Sequence, residues 1–312
     1  MKLGYIGMPD TNRPKISPFQ HHEHLALADT LEFRAAYFPK ISARDILNSD
    51  IGAGDTKIVL DAASFGAGAP SEIEAAVREA NTQLQGRLHL GVEICGPKDS
   101  ATTKAQSQAF ETLFSYGTKS DHMFAQSRFP MKPPCPEIVG LPRSGSCSEA
   151  RVAASRGYSP MTPSWLIEKD VARVWPAIVG GATSALRRAQ PDQWQINRMI
   201  VVHEDAETVK TYVKGTNSPI RRYFEHLARC GLIPNDVDRH LCQTVIAGSA
   251  QKVAEDILAL REGVGAFGTL NFIDPDGSDA NMTKMTMIRL VEDVMPMVST
   301  SDISQLKNLE RT

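Results

Sequence analysis

The richest run of reactive and hydrogen-bonding side chains is Arg143-Ser144-Gly145-Ser146-Cys147-Ser148. A short apolar run, Ile138 to Leu141, leads into it, and helical sequence follows from Glu149 to Ser155 until Gly157 stops it. Strand, Gly/Ser loop and helix N-terminus bring backbone N–H groups and serine hydroxyls to one point, an arrangement suited to a phosphate group. The plain alternative is a helix N-cap, since Ser is favoured there with no ligand, and residue physics alone favours it. Asp61, Glu93 and His203 could move protons. Each has an ordinary role beside that one. A lone carboxylate at a strand end is more often salt-bridged or solvated than catalytic, and His203, followed by Glu204 and Asp205, reads as a helix start. Trp165 reads as core before it reads as a ring-stacking platform.

The elements that must position these groups alternate. The apolar runs LGYI, AAYF, KIVLDAA, LHLGVEI, EIVGL, SPMT, INRMIVV and GTLNFI read as eight strands, each followed by helical or degenerate helical sequence. Such alternation predicts a parallel sheet, and eight units in 312 residues fit a (β/α)8 TIM-type barrel better than an open sheet. No G-x-G-x-x-G opens the first helix, and no G-x-x-x-x-G-K-[ST] occurs. In a barrel the chemistry sits where strands end, which selects Pro39 to Ser42, Asp61 to Ser64, Glu93 to Cys95, Arg143 to Ser148, Thr162 to Trp165, His203 and Asp274.

The expected domain is a single barrel over residues 1–312, with a polar, proline-rich excursion at 117–136 that reads equally as a lid or as a disordered surface insertion. Glu168 to Ala189 reads as a helix weakened at Gly180-Gly181, and the last helix is expected to end at Pro296. A net charge of −2 with scattered basic residues leaves no footprint for nucleic acid or an anionic membrane. The N-terminus develops neither a signal peptide nor a spanning helix, so a cytoplasmic protein is expected. Five cysteines, odd in number and without C-x-x-C, fit a reducing compartment. His21, His22, Glu23 and His24 are too close along one helix to share a metal ion easily, and a solvated first turn is expected there. No metal is expected.

The segment TVIAGSAQKVAEDILALREGVGAFGTLNFID with the closing MIRLVEDVMPMV resembles the C-terminal end of the bacterial luciferase-like, flavin-dependent monooxygenases. GRLHLGV at 86–92, ALADTLEFRAAYF at 26–38 and SCSEARVAASRGYSPMTPSW at 146–165 extend the resemblance along nearly the whole chain. It implies a luciferase-like barrel that takes reduced FMN, or a deazaflavin in some branches, at its C-terminal mouth. A separate flavin reductase would supply the FMN, and O2 would oxidise a small, apolar organic substrate. Ser146 and Ser148 fall where the family holds the flavin phosphate, and Asp61 and Ala62 where the third strand passes the ring. Glu93 and Trp165 fall at neighbouring strand ends. The family's histidine after strand two is Ile41 here. Its phosphate-pairing arginine aligns with Ile94, a loss that Arg143 or Arg151 could offset. Acid–base chemistry would then fall to Glu93, Asp61 or His203. The alternatives are a noncatalytic flavin-binding or partner subunit and a deazaflavin-dependent oxidoreductase. A homodimer, or a heterodimer with a related subunit, is expected by analogy of fold.

Overall fold

The computed structural model describes residues 1–8, 18–39, 54–65, 70–94, 136–275 and 277–299. Ile41 and the 117–136 excursion apart from Pro136 lie outside the described residues.

The eight anticipated strands form one closed parallel barrel. They are β1 (Lys2–Gly7), β2 (Ala35–Tyr37), β3 (Lys57–Asp61), β4 (Leu88–Glu93), β5 (Glu137–Leu141), β6 (Ser159–Thr162), β7 (Gln195–Arg198) and, last in the chain, β10 (Thr269–Asp274). β1 pairs with β2 on one side and β10 on the other, which closes the ring. The anticipated strand INRMIVV is split: at Met199 the chain leaves the β7 register, and its second part, β8 (Ile200–Val202), pairs instead with β9 (Ile246–Gly248), a short strand that was not anticipated.

Period-two alternation divides the core. Ile6, Ala35, Tyr37, Val59, Val139, Leu141, Met161 and Met199 belong to one buried cluster, which continues into helix residues such as Val213, Phe224 and Leu241. Tyr5, Ala36, Ile58, Leu60, Leu90 and Leu270 belong to another, which includes buried positions of the surrounding helices such as Val77, Ile178 and Ile257. Burying these residues supplies about 1.5–3 kcal/mol per large apolar side chain.

The N-terminal end of the barrel is filled by polar groups. The Arg34 guanidinium donates to the Asp192 carbonyl at 2.8 Å and to Thr269 Oγ1 at 3.1 Å. Glu137 lies 3.9 Å from both Arg34 Nη2 and His89 Nδ1, and it accepts a hydrogen bond from Ser159. Burial holds the His89 imidazole below its usual pKa. One layer higher, Asn271 Nδ2 donates to Gln195 Oε1 at 3.1 Å and Asn197 Oδ1 at 2.8 Å. Gly4 makes room for this layer, because a Cβ there would lie 2.0 Å from Asn271 Oδ1.

Three expectations are corrected. Gly180 and Gly181 do not weaken their helix, which runs Val174–Ser184. A Cβ at Gly181 would lie 2.1 Å from the Arg151 carbonyl, so the glycine lets the helix Cys147–Arg156 approach closely. Pro296 does not end the last helix. A π turn over Leu290–Val294, with Met295 N–H donating to Leu290 O, precedes it, and helix continues to 299. His24 is not solvated: it is 5% exposed, with Nδ1 2.8 Å from the Tyr5 hydroxyl. No cluster of residues able to hold a metal occurs among the described residues.

Candidate functional site at the barrel mouth

The C-terminal ends of β2, β3, β4 and β5 bring Tyr37, Asp61, Glu93 and the loop after Leu141 to one rim. Their neighbours are apolar: Leu141, Met161, Met199 and Ile273 share one buried cluster with Tyr37. Tyr37 and Asp61 meet directly, the hydroxyl donating to Asp61 Oδ1 at 2.5 Å. Burial, then the Asp61 charge and hydrogen bond, then the Glu93 charge keep the phenol well above its ordinary pKa. Tyr37 therefore stays protonated and acts as a donor. Ala62, buried, begins the turn Ala62–Phe65, which Ser64 ties down by donating to the Asp61 carbonyl at 2.6 Å.

Glu93 and Arg143 form a half-exposed pair, with Nε 3.7 Å from Oε2. Ile94 is 1% exposed and packs under Gly140, so no cation stands at that position.

The serine loop is a helix cap. Ser146 accepts from the Glu149 N–H at 3.3 Å and its hydroxyl lies 2.9 Å from that of Ser148. The loop's N–H groups already serve an anion: Glu149 accepts from the backbone N–H of Gly145 at 2.9 Å, and from the N–H and hydroxyl of Ser144 at 3.1 and 2.9 Å. Gly145 permits this with φ +72°, a left-handed conformation that favours glycine. Trp165 packs on that cluster, and its indole N–H is buried with no partner among the described residues. Its carbonyl lies 2.5 Å from His240 Nε2. His203 stands apart, following β8, accepting from the Asp205 N–H at 3.1 Å and lining a cleft outside the barrel.

Asp61, Glu93 and Arg143 thus share the rim with Tyr37, which motif reading did not single out. Nothing local distinguishes Tyr37 from other strand aromatics; its partner comes from the neighbouring strand. Glu149 did leave a signal, since Ser146-x-x-Glu149 is the capping-box spacing.

Neither a protein-family model nor a curated protein matches the sequence. Solved structures do match along its length. The oxygenating constituent of 3,6-diketocamphane monooxygenase from Pseudomonas putida, solved in complex with FMN, superposes with a TM-score of 0.75 at 15% identity, over 95% of this chain and 98% of that one. A monooxygenase from Streptomyces bottropensis gives 0.69 at 18% identity, covering 95% and 99%. The coenzyme F420-dependent tetrahydromethanopterin reductase of Methanopyrus kandleri gives 0.62 at 13%, covering 95% and 98%. The chain has the luciferase-like barrel fold. At these identities the likeness is one of fold.

Proposed function

We propose that this luciferase-like chain is a flavin- or deazaflavin-dependent oxidoreductase, and specifically a monooxygenase that uses reduced FMN and O2 on a small, apolar organic substrate. The observation that carries it is the Tyr37–Asp61 hydrogen bond, set over an apolar floor at the mouth of a barrel with this fold. An apolar floor edged by donors fits a flat heteroaromatic ring. The ring, when bound, supplies the electron pair; the chain's residues bind, orient and exclude water. Tyr37 spends its one O–H on Asp61 and so fixes that carboxylate, Asp61 can accept a proton, and Glu93 with Arg143 closes the rim. Leu141, Met161 and Met199 keep the floor dry. The phosphate end fits less well, because Glu149 already takes the loop N–H groups, and a flavin phosphate would have to displace it. That contact favours a second reading, a noncatalytic flavin-binding or partner subunit.

Partners under the first reading are a flavin reductase and a second copy or related subunit, meeting through the helices Pro18–Thr30 and Pro70–Gln83, in the cytoplasm.

Separate titrations with FMN, anaerobic reduced FMN and F420 test the reading. Saturable binding of one of them is expected, with substrate-stimulated O2 uptake in the reduced-FMN case. Asp61→Asn and Tyr37→Phe should each fold and lose at least tenfold in turnover. Binding without turnover selects the partner-subunit reading, and no binding of any of the three ends both.

A further inference from the structure

Outside the ring, β8, β9 and the helices Ala206–Lys214, Val237–Thr244 and Ala250–Val264 border a cleft of about 790 Å³. That volume suits a small organic molecule. Arg198, the last residue of β7, forms part of its wall, on the opposite strand face from Asn197.

Arg198 is 2% exposed. Its Nη1 donates to the Asn197 carbonyl at 2.9 Å and reaches the Ser164 carbonyl only at 3.5 Å. Nε and Nη2 donate to no described group, and no carboxylate among the described residues lies within 4.0 Å of the guanidinium. Glu168, on the same cleft, is the opposing charge it feels from further away. Burying a cation without a close counter-charge costs several kcal/mol. Arg87 shows the usual solution, being similarly buried but 3.4 Å from Asp29.

The rest of the cleft adds positive potential. The helix Ala250–Val264 begins there, capped by Ser249, with no acidic residue in its first turn. Lys214, whose ammonium donates to Cys242 Sγ at 3.1 Å, also lines it. Two of the cleft's carboxylates are already paired, Asp256 with Lys252 on the same cleft at 2.6 Å and Glu204 with Arg289 at 3.1 Å. Val213, Leu241 and Leu260 supply apolar wall.

We infer that this cleft binds a small organic anion, a carboxylate or phosphate ester with a short apolar body, whose charged group meets Arg198. The ligand would supply the counter-charge the fold omits. None of Tyr37, Asp61, Glu93 and Arg143 lines this cleft, so the inference stands whether or not the chain binds a flavin.

Octanoate, octyl phosphate and octanol are suitable probes, read by calorimetry and by thermal shift of the full chain. At least one of the two anions should bind saturably, at least tenfold tighter than octanol, and raise the melting temperature. Arg198→Met should melt no lower than wild type without ligand and lose the preference for the anion. Octanol binding as tightly as both anions, or undiminished anion binding by Arg198→Met, overturns the proposal. If Arg198→Met does not fold, Val213→Trp serves instead: it fills the cleft from the helix side, and unchanged anion binding by it also overturns the proposal.

Discussion

The serine loop and the outer cleft hold opposite charges in opposite situations. Glu149 is a partly exposed carboxylate that takes two backbone N–H groups and a hydroxyl, all from within five residues of itself. Arg198 is a buried guanidinium with two carbonyl contacts and no carboxylate among the described residues within 4.0 Å. A short loop can satisfy its own anion because backbone donors come with the chain. A strand side chain cannot choose its neighbours, and its counter-charge must arrive from another element or from outside. The region that most resembles a ligand site in sequence is therefore the one whose donors are in use, while the less conspicuous region has donors to spare.

Reversing the cation should have the largest effect. Arg198→Glu would bury a carboxylate beside Glu168, and a loss of about 3–5 kcal/mol in urea denaturation is expected. A loss below about 1 kcal/mol would mean the site is wetter than its burial indicates.

Asp274 sharpens the comparison, being a buried carboxylate supplied with neutral donors: Tyr5 at 3.0 Å and Thr283 at 2.8 Å. Burial outweighs those hydrogen bonds and raises its pKa from 3.8 to about 6. The folded chain then holds this proton more tightly than the unfolded chain. Its contribution is most favourable below about pH 4 and declines as pH rises to about 6, by on the order of 2–3 kcal/mol. Asp274→Asn should remove that part of the slope from a stability–pH curve. An unchanged curve would show that the carboxyl ionises as freely folded as unfolded.

In the loop, Glu149→Ala should cost about 2 kcal/mol, because charge-assisted hydrogen bonds are lost while the freed donors can turn to water. It should also release those donors, so inorganic phosphate should bind the variant more tightly than wild type. Equal phosphate affinity in calorimetry would show that the carboxylate was not the obstacle. Ser146→Ala, which removes only the cap, should cost about 1 kcal/mol by thermal melting. A cost as large as that of Glu149→Ala would shift the loop's stability from the carboxylate to the serine.

Much of the fold was legible because strand and helix periodicities are local. All eight barrel strands follow from apolar runs between turn-formers, and Ser249, Gly157 and Gly86 punctuate helices as their chemistry dictates. Where local rules misled, a distant group had intervened. Gly181 answers to the Arg151 carbonyl, Pro296 is accommodated by a preceding π turn, and the INRMIVV strand splits because Ile200–Val202 pairs with β9. The candidate rim was legible only in position. Asp61, Glu93 and Arg143 follow from strand ends, whereas Tyr37 and Arg198 matter through neighbours that no spacing reveals.

The knot of Arg34, His89, Glu137 and Ser159 at the foot of the barrel makes it a cup, not a tube. A cup is filled and emptied over one lip. Under the proposed function, two reactants sharing it would enter in turn, and whichever left last would govern how soon the next cycle began.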